Sequence, residues 1–185
     1  FYSSWFDGVV TDPSLMVVPV DDHLVHRGDG VFEALRAIDG HLWLESAHIN
    51  RLFQSAERIG LSHSFSQAHV LACIQETLKA SGLRDSLIRV FLSRGPGNFS
   101  TNPYDSVGAQ LYIVACEFKA PPQKWFDEGV TVKRSQIPAK DPWLAQIKSC
   151  NYLQNVLMKK ESVDLRCDFV VGADGDGHLT ESSTE

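Results

Sequence analysis

Three residues of the 185-residue sequence could do chemistry in their local setting. Lys148 lies where an extended stretch meets a helical one, among mostly uncharged neighbours. It is either a solvated lysine or, if partly buried, a nucleophile that forms a Schiff base. Arg51 lies within a helical pattern, where it either points outward or holds a phosphate with its fork of donors. Glu181 ends a short strand and is either a turn carboxylate or the partner of a protonated ring nitrogen.

Composition excludes several classes of protein. The chain has 17 Lys and Arg against 23 Asp and Glu, a formal charge of −6, and no basic run, so we expect no nucleic-acid partner. No apolar stretch is long enough for a membrane span. The seven histidines form no HxxxH or HExxH pair and the four cysteines form no CxxC pair, which predicts no metal site. Sparse cysteines also predict a reducing, cytoplasmic location.

The first two thirds of the sequence predict a mixed α+β domain. Apolar runs around Asp-Gly turns predict hairpins, and apolar residues at helical spacing predict two helices. The predicted strands lie within 1–12, with a turn at Asp7-Gly8, and at 31–38, 41–44, 87–93 and 110–118. The predicted helices span 46–59, capped by Ser46 and ended by Gly60, and 66–80, stopped at Gly82.

A Pro-containing stretch divides the sequence. We predict an N-terminal domain at 1–118, a linker at 119–124 and the start of a second domain at 125–185. In this second part we expect a strand at 129–137, a helix at 151–161 with Leu153, Val156 and Leu157 on one face, and a hairpin at 168–173 and 178–181.

Four runs in chain order resemble one enzyme family. They are His26–Glu33 (HRGDGVFE), Ala47–Leu52 (AHINRL), Ile147–Leu153 (IKSCNYL) and Leu179–Ser183 (LTESS). Together they resemble the class IV, or fold type IV, pyridoxal-phosphate enzymes, which include branched-chain and D-amino-acid aminotransferases and aminodeoxychorismate lyase. The resemblance implies a small α/β N-terminal domain and a C-terminal pseudo-barrel domain that continues beyond residue 185, so that we expect it to be incomplete in this chain.

The same resemblance implies the role of each site residue. Lys148 is implied as the catalytic Schiff-base lysine that also moves the substrate proton. Glu181 is implied as the partner of the pyridine nitrogen, Arg51 as a ligand of the cofactor phosphate, and Ser183 as a further cofactor-binding residue. The implied substrate-binding residues are Phe32, Arg36, Arg94 and Tyr152.

The implied activity is transfer of an amino group between a small amino acid, branched-chain-like or D, and a 2-oxo acid. Arg36 in a Phe-Glu-x-x-Arg run and Glu185 in a Glu-x-x-x-Glu run resemble the branched-chain enzymes. The loop at 93–99 lacks the His of the Arg-x-His pair that D-amino-acid enzymes use. A homodimer is implied, because family members borrow the loop near 94–102 from a neighbour. Two alternatives remain: aminodeoxychorismate lyase, and a non-catalytic α+β binding domain.

Overall fold

The computed structural model describes residues 1–184, so that Glu185 lies outside the described residues. The chain forms two compact units: Phe1–Phe118 with Ile147–Cys150, and Lys119–Gln146 with 151–184. Ile147–Cys150 therefore groups with the first unit, whereas the sequence division assigned it to the second domain. The boundary at 119–124 itself stays a prediction.

A six-stranded antiparallel sheet forms the centre of the first unit. Its order is β2-β1-β6-β5-β3-β4. The strands are β1 (Tyr2–Ser3), β2 (Gly8–Val9), β3 (Gly30–Ile38), β4 (His41–Leu42), β5 (Ser86–Ser93) and β6 (Gln110–Glu117). The predicted hairpins at Asp7-Gly8 and Asp39-Gly40 are confirmed, since β1 pairs with β2 and β3 pairs with β4.

β3 changes character along its length. Val31, Phe32 and Glu33 are all buried, so that this end of the strand is covered on both faces. From Ala34 onward, buried and half-buried residues alternate, as expected where one face is more open. The doubly buried end is the one that carries Phe32 and Glu33.

Three α-helices belong to the first unit: α1 (His23–Arg27), α2 (Glu45–Arg58) and α3 (Gln67–Ser81). The predicted Ser46 cap is wrong. α2 begins one residue earlier, after Leu44, which has a φ of 54° and provides no side-chain cap. α1 was not predicted, because its five residues are too few for apolar periodicity; Asp22 caps it by accepting from the Leu24 amide at 2.9 Å.

The core of the first unit lies between the sheet and the two longer helices. Ile49, Leu52 and Ala56 of α2 are buried at the predicted helical spacing. Val70, Ile74 and Leu78 of α3 form the matching buried stripe. Gly60 and Gly82 adopt left-handed conformations after the two helices, as predicted.

The second unit has a three-stranded sheet in the order β7-β8-β9, with β7 parallel and β9 antiparallel to β8. Its elements are α4 (Gln123–Asp127), β7 (Val132–Arg134), α5 (Pro142–Ala145), α6 (Leu153–Asp164), β8 (Phe169–Ala173) and β9 (Leu179–Ser182). The predicted strand at 129–137 is only three residues long, and the short helices α4 and α5 were not predicted.

α6 is packed through its less apolar side. Asn155, Met158 and Ser162 are its buried residues, whereas the predicted apolar stripe that begins at Leu153 and Val156 is exposed. Among residues 1–184, no helix combines the length and hydropathy needed to cross a membrane.

Candidate active site

Lys148 lies in a short extended segment that pairs with β3. The Phe32 amide donates to the Lys148 carbonyl at 2.9 Å, and the Cys150 amide donates to the Gly30 carbonyl at 2.8 Å. On the α2 side, the Lys148 amide donates to Ser55 Oγ at 3.4 Å. The backbone of Lys148 is therefore held by hydrogen bonds to β3 and to α2, which favours a precisely placed side chain.

The side chain of Lys148 lies over an aromatic ring. Its Nζ is 4.5 Å from the centre of the Phe32 ring, within the range of a cation–π interaction. Phe32 is buried and stacks on Phe91, with ring centres 6.0 Å apart. Two residues that the sequence places in one site, Phe32 and Lys148, are thus in contact within the first unit.

Arg51 forms a bidentate ion pair with Glu33. Its Nε lies 2.5 Å from Oε1 and its Nη2 2.7 Å from Oε2. The Glu33 side chain is 1% exposed and that of Arg51 55% exposed, so the guanidinium is held from its buried side. His48 Nδ1 lies 2.8 Å from Glu33 Oε2 as a further partner.

The pKa of Glu33 reflects two opposing influences. Burial alone would raise it, but the hydrogen bonds and charges of Arg51 and His48 outweigh burial and hold the pKa of Glu33 below its ordinary value. The hydrogen bond to Glu33 in turn raises the pKa of Arg51. Arg51 is therefore a permanently charged group with a fixed orientation.

The two other predicted arginines have partners within the first unit. Arg94 binds Asp29 through Nε at 2.6 Å and Nη2 at 3.0 Å, and also donates to the carbonyls of Ile59 and Gly60. Arg36 lies 3.4 Å from Asp85, with its guanidinium 3.3 Å from the centre of the Phe118 ring. Their predicted contacts with substrate stay predictions.

Glu181 and Ser183 lie on and just after β9 in the second unit. Glu181 Oε1 is 2.8 Å from Lys140 Nζ, and Lys140 in turn lies 5.2 Å from the ring centre of Tyr152. Ser183 is buried, and its carbonyl accepts a hydrogen bond from Asn155 Nδ2 at 2.7 Å.

A cavity of about 840 Å³ opens beside Glu181. Lys140, Asp141, Asp174 and Thr180 supply polar groups to its wall, and prolines and alanines supply most of the rest. A concave site with few polar groups on apolar walls is typical of small-molecule pockets.

Sequence reasoning missed several residues around these groups. Glu33 and His48 were quoted only as parts of motifs, and Lys140 was not singled out at all. Arg89 was also missed. It is exposed on β5, two residues from Phe91 and opposite Ala34, which places it on the same sheet face as Phe32. A charged residue inside an otherwise apolar strand was the available signal.

One acidic turn resembles a metal cluster. Asp174, Asp176 and His178 bring one ligand atom each within 4.8 Å of one another. Asp174 Oδ1 already accepts the amides of Asp176 and His178, so the cluster is explained by its own turn. We assign no metal site to it.

Comparisons with known proteins identify the family of the chain. A family model described as "Amino-transferase class IV" matches residues 30–185. The chloroplastic D-amino-acid transaminase of Arabidopsis thaliana is 39% identical over 163 residues, which cover 87% of this chain and 42% of that protein.

Two solved structures have the same fold. The T.th. branched-chain amino acid aminotransferase complexed with N-(5'-phosphopyridoxyl)-L-glutamate has a TM-score of 0.84 at 23% identity, over 95% of this chain and 59% of that one. The 4-amino-4-deoxychorismate lyase of Pseudomonas aeruginosa has a TM-score of 0.78 at 22% identity, over 91% and 61%. At these identities the likeness shows the fold, and it confirms the predicted α+β, fold type IV architecture.

The chain spans about half the length of these three proteins. The family model nevertheless covers most of the chain, from β3 through β9. It includes the Lys148 segment, the Glu33–Arg51 pair and Glu181, and it confirms the family that the four sequence runs resemble. The chain therefore belongs to the class IV aminotransferase family.

Proposed function

We propose that this protein is a pyridoxal-phosphate-dependent aminotransferase that moves an amino group between a small amino acid and a 2-oxo acid. Family membership and the transaminase name of the Arabidopsis relative support this proposal. The observation that carries it is the placement of Lys148, whose backbone is fixed on β3 and whose amine lies against the Phe32 ring.

We propose one side chain for each of the three reactive parts of this cofactor, as the family resemblance implies. An aldehyde needs an amine, for which we propose Lys148. A phosphate needs a cation, for which we propose Arg51, and a pyridine nitrogen needs an acceptor, for which we propose Glu181. Ser183 is a further proposed cofactor ligand. Bound pyridoxal phosphate would supply an electron sink for the negative charge that develops at the α-carbon of the amino acid.

The residues of the chain supply position and proton transfer. Lys148 would hold the cofactor through Nζ, and the same amine would accept and return the substrate proton. The bonds to Glu33 use two of the five N–H donors of the Arg51 guanidinium and fix its plane, so that a phosphate meets a pre-oriented fork. Phe32 provides an apolar wall beside the Lys148 amine.

The substrate carboxylate needs a cation of its own. The resemblance implies Phe32, Arg36, Arg94 and Tyr152 as substrate-binding residues, of which the two arginines are cations. We propose Arg89 as a third cation, because it is exposed on the sheet face that carries Phe32. We also propose a homodimer in which the loop at 94–102 serves the neighbouring subunit. Light scattering on a size-exclusion column tests this assembly, and a monomer at micromolar concentration would contradict it.

The central experiment is covalent trapping. We expect borohydride reduction in the presence of pyridoxal phosphate, followed by peptide mass mapping, to find a phosphopyridoxyl group on Lys148. Lys148→Ala should abolish this label, whereas Lys160→Ala, which removes an exposed lysine of α6, should keep it. A label on another lysine would defeat the assignment of Lys148, and a protein that takes no label would favour the non-catalytic binding domain.

Aminodeoxychorismate lyase remains the second candidate, because the Pseudomonas aeruginosa lyase shares the fold. The run Leu144-Ala145-x-Ile147-Lys148 also resembles that enzyme. The two reactions differ in what they require. Pyruvate release from aminodeoxychorismate without any added 2-oxo acid would favour the lyase, whereas amino transfer that depends on a 2-oxo acid favours the aminotransferase.

A further inference from the structure

Lys140 is a second lysine close to a proposed cofactor residue. Its Nζ lies 2.8 Å from Glu181 Oε1, and its side chain is 18% exposed against 44% for Glu181. Lysines are seldom withdrawn from water unless they are paired. The Tyr152 ring, 5.2 Å from Nζ, covers the ammonium further. Lys140 is therefore less solvated than an ordinary surface lysine, and its ammonium is paired with Glu181.

The backbone on both sides of Lys140 is anchored. Before it, the Pro138 carbonyl accepts a hydrogen bond from Gln154 Nε2 of α6. After it, Asp141 caps α5 by accepting from the Trp143 amide at 2.8 Å. An anchored backbone leaves the lysine fewer conformations to lose when it forms the ion pair.

The backbone of Glu181 on β9 lies close to Gly172 on β8. A Cβ atom at Gly172 would lie 2.6 Å from Thr180 Oγ1 and 3.4 Å from the Glu181 carbonyl oxygen. The absence of a side chain at Gly172 thus allows β9 to approach β8 closely at this point. The ion pair joins two segments whose backbones are both held in place, and only the Glu181 side chain remains to be oriented.

We propose that Lys140 is a positioning residue for Glu181: it binds Oε1 and so orients the carboxylate to accept from the ring nitrogen of the cofactor. This inference rests on the proposed function, which gives Glu181 that partner. A carboxylate has about four acceptor positions, so an ammonium and a ring N–H can be bound together. Lys140 acts through Glu181 and takes no part in bond making.

The test isolates the ring nitrogen from the rest of the cofactor. Dissociation constants of pyridoxal phosphate and of its 1-deaza analogue, in which a CH group replaces the nitrogen, are measured for the cofactor-free protein and for Lys140→Met. Both ligands carry the same aldehyde and phosphate, so the ratio of their constants reports the contact with the nitrogen alone. We expect Lys140→Met to reduce the preference for pyridoxal phosphate over the analogue by about fivefold, the value of one misplaced hydrogen bond.

Three variants serve as controls. Lys140→Arg keeps a cation and should keep the preference. Lys160→Met removes a lysine from an exposed ion pair with Asp164 in the same unit and should change neither constant. In a Glu181→Gln background, Lys140→Met should have no further effect on the ratio, because the residue through which it acts is already altered.

Each other outcome counts against the proposal. If Lys140→Met raises both dissociation constants by the same factor, Lys140 supports only the local structure. If the preference for pyridoxal phosphate rises, Lys140 competes with the ring nitrogen for Glu181. In either case Lys148 still takes the borohydride label, so the proposed function stands while this inference fails. If neither ligand binds and Lys148 takes no label, the proposed function and the inference fall together.

Discussion

Glu33 and Arg51 form an ion pair whose two members differ sharply in exposure: the carboxylate is buried, and the guanidinium is more than half exposed. Removing either partner should therefore have unequal consequences. Without Arg51, a buried charge loses its main partner. Without the Glu33 charge, the arginine can still be solvated from its open side.

We expect Arg51→Ala to lower the free energy of unfolding by about 3 kcal/mol at pH 7.5, because it leaves a buried carboxylate with only His48. Glu33→Gln should lower the free energy of unfolding by only about 1–2 kcal/mol. The neutral glutamine loses the charge-assisted hydrogen bonds but leaves no unpaired buried charge. Equilibrium urea unfolding measures both. Arg84→Ala, which removes an exposed arginine paired with exposed Asp39, is the matched control and should cost under about 1 kcal/mol. A larger loss for Glu33→Gln than for Arg51→Ala would contradict this interpretation.

The same variants should differ in pH dependence. The pKa of Glu33 is below its ordinary value of 4.5, so its stabilising effect is complete above pH 4.5 and is lost as the pH falls through the lowered pKa. In Arg51→Ala, burial should dominate and raise the pKa of Glu33 above 4.5. The cost of burying the charged Glu33 carboxylate then lowers the stability of Arg51→Ala at neutral pH. This cost disappears as the pH falls through the raised pKa and the carboxylate becomes protonated. The stability gap between wild type and Arg51→Ala should therefore narrow from pH 7.5 to pH 5, and an unchanged gap would rule out this titration.

Two glycines of the loop after β5 provide a matched pair. Gly95 has a φ of +99°, and a Cβ atom there would lie 1.9 Å from the Gly108 carbonyl oxygen. Gly108 has a φ of +125° with open space around the Cβ position. Gly108→Ala should cost about 1–3 kcal/mol of backbone strain, and Gly95→Ala should cost clearly more because a backbone clash is added. Thermal unfolding and proteolysis within 94–109 measure the difference; equal effects would contradict the close approach.

Regular elements of the first unit were predictable because each carries a repeating apolar pattern. α3 and β5 begin within a residue of their expected positions, since burial on one face repeats along each element. α1 carries no such pattern, and the pattern at 129–137 predicts a strand but not that β7 is only three residues long. The existence of α1 depends on a cap at Asp22, and the extent of β7 depends on pairing with β8, a strand more than thirty residues away.

Site residues could be proposed from motif order, but their partners could not. Arg51 and Arg94 were expected to face a ligand, yet each also binds an acid at a distance in the sequence, Glu33 and Asp29 respectively. Such pairs are created by the fold rather than by local spacing. Lys140 could not be predicted for the same reason: its partner Glu181 lies 41 residues later in the sequence, since 181 − 140 = 41.

Cys150, two residues from Lys148, should be unreactive in the folded protein. Burial, followed by the nearby carboxylates of Asp22 and Asp29, raises the pKa of its thiol from 9.0 to about 12. Because the thiolate is the nucleophile, alkylation by iodoacetamide at pH 8 should be at least about a hundredfold slower in the native protein than in urea. Peptide mass mapping after timed pulses gives both rates. Equal rates would show that the thiol is exposed.

Phe32 should matter to Lys148 through its aromatic face. Phe32→Leu keeps an apolar side chain but removes the ring that lies 4.5 Å from Lys148 Nζ. Because the ring is the wall against which the reacting amine is positioned, and a small displacement of a reacting group is costly, we expect kcat/KM for amino transfer to fall roughly tenfold. The free energy of unfolding should change by less than about 1.5 kcal/mol.

Phe32→Tyr keeps the ring and serves as the control for Phe32→Leu, with an expected change in kcat/KM of under about threefold. Steady-state kinetics and urea unfolding on the same preparations separate the two effects. If Phe32→Leu lost stability and activity in proportion, the ring would act only as packing beside Phe91. If Phe32→Leu retained full activity, the ring of Phe32 would not be what orients the amine of Lys148.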